Sequence, residues 1–130
     1  MKIDYNKIYF LSRHGKGHKL SPSGINYQAN IEALKQCGVT DIFSLSAVGS
    51  LKESLNPGTF VIIDQFIDRT ISRKKSFFNE GIIAHVPMSE PSSKELMQLS
   101  KNYLDILNIS NVLGGTYLAM EGPQFSTKAE

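Results

Sequence analysis

Ile8-Tyr9-Phe10-Leu11, followed by Arg13-His14-Gly15-Lys16-Gly17-His18, decides how the rest of this chain is read. The apolar residues predict a buried strand over Lys7 to Leu11, and the loop opens at its carboxyl end. Open α/β sheets take their ligands there. An arginine offers a rigid fork of donors matched to phosphate oxygens, and a histidine adds another. Two glycines let backbone amides come close to an anion. The stretch therefore predicts an oxyanion site, with phosphate as the leading ligand.

Downstream, Ser21-Pro22-Ser23 reads as a helix start and Gly38 as its stop, with Tyr27, Ile31 and Leu34 on one face and Ala33 and Cys37 widening it. Ile42 to Ala47 predicts a second strand, leading into Val48-Gly49-Ser50. Asn56-Pro57-Gly58 is a turn before a third strand, Phe60 to Asp64. Gln65 to Asn79 is polar and reads as irregular, and Ile82 to Val86 as a short strand before Pro87. Ser92 or Ser93 can cap a helix running to about Leu107, with Leu96, Leu99, Tyr103 and Leu107 on its buried face. Val112 to Met120 predicts another strand, and Ser126 a further helix cap. The alternation gives an α/β class: a mixed, largely parallel sheet flanked by helices. Residues 1–130 are expected to form a single, incomplete domain.

Composition narrows the function classes. Charged residues make up 20% of the chain and the net charge is +2, too small to argue for nucleic acid or an anionic membrane. The one dense cationic stretch, Arg69 to Lys75, reads as a solvated connection. Cys37 is the single cysteine, which removes a disulfide framework and a cysteine metal site. No cationic-then-apolar leader follows Met1 and no apolar run is long enough for a bilayer, so the expected location is cytoplasmic.

Two further segments fall where a sheet would open. Ser46-Ala47-Val48-Gly49-Ser50 combines a hydroxyl, small side chains and a glycine, suited either to a phosphate or sugar or to a tight corner. Glu121-Gly122-Pro123-Gln124-Phe125-Ser126 is a rigid turn that can present an aromatic face and a hydroxyl to a planar ligand, although a phenylalanine is commonly core. His14 and His18 are four apart in a loop and lack the further ligands of a metal site, and His85 reads as a polar rim residue. There is no Ser-His-Asp pattern, G-x-S-x-G or Walker loop, and Asp64, Asp68, Glu90 and Glu121 are too scattered to pair from sequence.

Taken in order, these segments resemble the trimeric purine nucleoside phosphorylase family, on its methylthioadenosine-cleaving side. The resemblance runs through Arg13-His14-Gly15 with His18, Asn26-Tyr27-Gln28-Ala29-Asn30, Ala47 with Gly49-Ser50-Leu51, and Asp64-Gln65-Phe66-Ile67-Asp68-Arg69-Thr70. It continues through His85 with Pro87-Met88, Glu90-Pro91, and Glu121-Gly122-Pro123 with Phe125-Ser126. It implies a nucleoside phosphorylase-like fold, only part of which this chain would supply. It also implies phosphorolysis of 5′-methylthioadenosine to adenine and 5-methylthioribose 1-phosphate, a pentosyl transfer in purine and methionine salvage. Phosphate is then a co-substrate, no cofactor or metal is expected, and the partners are the nucleoside and further copies in a homotrimer.

By the same resemblance, Arg13 and His14 hold the phosphate with the Ser46 hydroxyl and the Ala47 backbone. Gly49 and Phe125 face the purine, and His85 and His18 lie by the 5′ end of the sugar, His85 reaching in from a neighbouring subunit. Ser126 stands where relatives acting on 6-oxopurines carry a glutamate. A serine can donate to the bare N1 of adenine, where a carboxylate would be repelled. The family's Gly-rich first loop and its acidic aspartate have no counterpart here, so no catalytic acid is assigned. Two alternatives follow: a 5′-methylthioinosine or other purine nucleoside phosphorylase, or an inactive remnant that binds phosphate, purine or an intact relative.

Overall fold

The turn at Asn56-Pro57-Gly58, closed by the Thr59 amide donating to the Asn56 carbonyl at 3.1 Å, delivers the chain into strand β1, Phe60–Ile62. The computed structural model describes residues 7–78 and 81–129. Their contacts divide them into two units, the first within Met1–Leu45, Ile71–Asn79 and Glu121–Glu130, the second within Ser46–Thr70 and Glu80–Met120.

The second unit is built on parallel ladders. Strand β1 pairs with β3, Asn111–Leu113, in the register Phe60↔Asn111, Val61↔Val112 and Ile62↔Leu113. Strand β2, Gln65–Asp68, pairs with β4, Thr116–Ala119, from Gln65↔Thr116 to Asp68↔Ala119. Asp64 and Gly114-Gly115 interrupt what would otherwise be one ladder: the Asp64 carboxylate accepts the Gly115 amide at 3.0 Å, and the Asp64 amide donates to the Gly115 carbonyl at 3.2 Å. Val112 to Met120 is therefore two strands rather than one. Residues 65–68, expected to be irregular, are a strand because β4 supplies their partner.

Between β2 and β3 in sequence runs helix α2, Lys94–Ile106, which packs on β3 and β1. Its start is the expected one: the Ser93 hydroxyl accepts the Leu96 amide, and Glu95 complements the positive end of the helix dipole. Its inner face runs through half-buried Leu96, Met97, Leu99, Ser100 and Leu104. Tyr103 and Leu107, expected inside, are exposed.

In the first unit, Pro22–Gly24 is a single 3-10 turn capped by Ser21, and helix α1, Tyr27–Gln36, begins only after the extended Ile25. The helix thus starts later than Ser21-Pro22-Ser23 predicts. Asn26 is its cap, accepting the Ala29 amide at 3.0 Å. The end is as expected. Gly38, at φ +75°, donates to Lys35 while Val39 donates to Leu34, the paired bonds of a Schellman stop. Tyr27 and Leu34 are half-buried, but Ile31, Ala33 and Cys37 are exposed.

Three predicted strands do not form. Lys7 to Leu11, Ile42 to Ala47 and Ile82 to Val86 have no ladder partner among the described residues and leave their side chains in solvent, with Phe10 94% exposed and Ile83 82% exposed. An apolar run becomes a strand only where a neighbour takes its N–H and C=O groups. Nor does a helix follow Ser126 among the described residues, where only a turn at residues 128–129 is seen.

Candidate functional site

The Arg13–His18 loop is a ring of short backbone bonds. The Gly15 amide donates to Ser12, the His18 amide to Gly15 and the Leu20 amide to His14, at 2.9, 3.1 and 3.0 Å. Closing the ring so tightly needs the left-handed conformations of Gly15 (φ +74°) and Gly17 (φ +79°), which glycine adopts without penalty. His18 also takes this conformation, at φ +54°. Its ring stacks on His14, centroids 4.1 Å apart and planes inclined by 17°.

Two further bonds aim the side chains. His14 Nδ1 meets the Leu20 carbonyl at 2.8 Å. A carbonyl can only accept, so Nδ1 carries the hydrogen and Nε2 is the ring's accepting nitrogen. It can accept from a protonated phosphate oxygen, or donate once the ring is protonated. Arg13 Nη1 donates to the Leu45 carbonyl at 3.2 Å, the residue before Ser46 in the chain. A guanidinium has five N–H donors, so this tether leaves others for an anion. Arg13 is exposed and His14 half-buried.

A second cluster in the first unit is not legible from sequence as a unit. Glu121 accepts from the Ile71 amide, from the Ser72 amide at 3.2 Å and from the Ser72 hydroxyl at 2.6 Å. Its own carbonyl accepts from Arg73 Nη2 at 2.9 Å, and the Arg73 guanidinium lies over the Tyr27 ring, 4.9 Å from its centroid. These donors hold the Glu121 carboxyl below its ordinary value, the Ser72 hydroxyl most of all, then the Ile71 amide. With the folded value depressed, the clamp is complete above the ordinary glutamate range and is lost as pH falls through the lowered value.

Arg73 belongs to the cationic stretch expected to be solvated, yet it is half-buried. The signal available in sequence was the aromatic-cation pairing of Tyr27 with that stretch, but 46 positions separate the two. A cleft of about 330 Å³ opens beside this cluster, between residues 23–28 and 72–74. Neither Arg13 nor Phe125 lines it.

The remaining predicted residues fall as follows. Phe125 and Ser126 are exposed members of the first unit, like Arg13 and His18, and Phe125 is 96% exposed. Ser46, Ala47, Gly49 and His85 are exposed members of the second unit. The other carboxylates serve local structure: Asp64 holds Gly115, Asp68 holds the Thr70 amide and hydroxyl, and Glu90 pairs with Lys94. Among the described residues no three His, Cys, Asp or Glu side chains group as metal ligands, and no helix is long and apolar enough to cross a membrane.

The phosphorylase superfamily model matches residues 3–130. The chain belongs to that superfamily. It is 59% identical over 128 residues to the S-methyl-5'-thioadenosine phosphorylase of Rhodospirillum rubrum, covering 98% of this chain and 44% of the relative. To the enzyme of that name from Saccharolobus solfataricus it is 49% identical over 129 residues, covering 99% and 48%. The chain thus spans less than half the length of these curated relatives.

Solved phosphorylase structures agree. A mutant adenosine/methylthioadenosine phosphorylase from Schistosoma mansoni in complex with methylthioadenosine superposes with a TM-score of 0.86 at 35% identity, over 92% of this chain and 49% of that one. A double mutant of the same enzyme in complex with adenine gives 0.87 at 34% identity, over 92% and 50%. The α/β class with parallel strands flanked by helices, expected from sequence, is the fold these structures share with the chain.

Proposed function

We propose that this chain is the phosphate-holding and purine-facing part of a phosphorylase that cleaves S-methyl-5'-thioadenosine. An oxygen of hydrogen phosphate attacks C1′ of the thioribose, the C1′–N9 bond breaks with its electrons going to the purine, and the proton that the hydrogen phosphate gives up ends on the departing adenine. The products are adenine and 5-methylthioribose 1-phosphate. Charge builds on the sugar as the bond stretches, so a fixed anion on one face stabilises the transition state. Arg13 and His14 bind that anion, with the Ser46 hydroxyl and Ala47 amide. Gly49, Phe125 and Ser126 receive the base, and His18 and His85 bound the 5′ end. A cytoplasmic homotrimer that needs neither cofactor nor metal completes the reading.

The observation that carries this proposal is the 59% identity to a methylthioadenosine phosphorylase across nearly the whole chain. The His14 ring, held through Nδ1, and the tethered Arg13 fork add support. Ser126 supports a 6-aminopurine, because its hydroxyl can donate to N1. The test is phosphate-dependent release of adenine from S-methyl-5'-thioadenosine by the full-length product containing this chain, with 5′-methylthioinosine assayed alongside. Release of adenine is expected. A well-folded preparation that releases none, or that prefers the inosine analogue, would overturn the assignment.

A further inference from the structure

We propose that Glu121 is a positioning residue for the purine face: by clamping residues 71–73 it fixes the turn that carries Phe125 and Ser126. The inference rests on the functional reading above and deepens it.

Phe125 is 96% exposed among the described residues, so the link that can be traced to its turn there is the one through the backbone. Four residues upstream, Glu121 is tied at both ends to one short segment: its carboxylate takes two amides and a hydroxyl from Ile71 and Ser72, and its carbonyl takes the Arg73 guanidinium. Bonds to an ionised carboxylate are the stronger kind, and several of them to one segment fix direction as well as distance. Arg73 is itself held over Tyr27, the first residue of α1, so the clamp is referred to a regular element.

Gly122 adds a second restraint. At φ +69° it runs close to Pro22, whose ring carbons would lie 3.4 and 3.5 Å from any Cβ placed there. Pro123 then fixes one more backbone angle. Both restraints act between the clamp and Phe125.

The experiment uses full-length enzyme carrying Glu121→Ala or Glu121→Gln, with steady-state kinetics, melting temperature and amide hydrogen exchange over residues 121–129. Glu121→Ala is expected to raise the KM for nucleoside about tenfold while leaving the KM for phosphate within about twofold. Exchange at Phe125 and Ser126 should quicken. Glu121→Gln, which keeps one acceptor oxygen, should recover part of both effects. A lowered melting temperature with both KM values unchanged, or a parallel rise in both, would overturn the proposal. If the parent enzyme releases no adenine, the functional reading fails by itself. Exchange then decides the clamp: quickened exchange at Phe125 upholds it and unchanged exchange rejects it.

Discussion

The second unit is held by main-chain ladders, whereas the first is held by side chains reaching main chain. In the second, β1–β3 and β2–β4 distribute their bonds over seven paired positions, and α2 covers one pair. In the first, the Arg13–His18 loop adds to its own backbone bonds the reach of His14 to Leu20 and of Arg13 to Leu45, and Glu121 at the start of the 121–126 turn takes the Ile71 amide and the Ser72 hydroxyl. A ladder tolerates the loss of any one side chain because its bonds belong to the backbone. A loop aimed by one imidazole and one guanidinium does not. Irregular backbone of the second kind leaves N–H groups and side chains turned outward, which is where proteins commonly carry ligand-binding chemistry.

The largest expected effect tests that contrast directly. Arg13→Ala in the full-length enzyme removes the charge-assisted bonds proposed for phosphate and should raise the KM for phosphate by roughly 30- to 100-fold. The KM for nucleoside should change by less than about threefold. Equal weakening of both would mean that Arg13 supports the loop rather than the anion, and the contrast would lose its sharpest case.

A smaller effect is expected at the other end of the first unit. Ser126→Glu places a carboxylate opposite the lone pair at adenine N1, an unpaired and repulsive arrangement. The ratio of kcat/KM for S-methyl-5'-thioadenosine over 5′-methylthioinosine should fall by about tenfold. An unchanged ratio would separate Ser126 from the base and leave the 121–126 turn without its assigned role.

Local signals were the legible ones. Ser93 before α2, Gly38 after α1 and the Asn56-Pro57-Gly58 turn are each decided by a few adjacent residues, and each stands where the sequence puts it. Strand β2 was not legible, because Gln65-Phe66-Ile67-Asp68 becomes a strand only through β4, some fifty positions on. The converse error came from apolar runs such as Ile82 to Val86, whose composition says strand but which find no ladder partner among the described residues. The candidate site divides in the same way. Arg13 and His14 announce their chemistry within six residues, but Glu121 shows its role only when Ile71, Ser72 and Arg73 come to it.

The smallest expected effect belongs to the ladder unit and sharpens the contrast from the other side. Gly115 stands between β3 and β4 at φ +148°, and a Cβ there would meet Val61 Cγ1 at 3.0 Å. Alanine would both strain the backbone and press on β1, yet its amide would still reach the Asp64 carboxylate and the strand bonds on either side would persist. Gly115→Ala should therefore cost about 1–2 kcal/mol of stability. The check is denaturant unfolding of the full-length enzyme, read with the KM for phosphate. Lower stability with an unaltered KM is expected. A KM that rises with the loss of stability would show that the ladder transmits strain to the anion loop, and the two units would then have to be treated as one mechanical body.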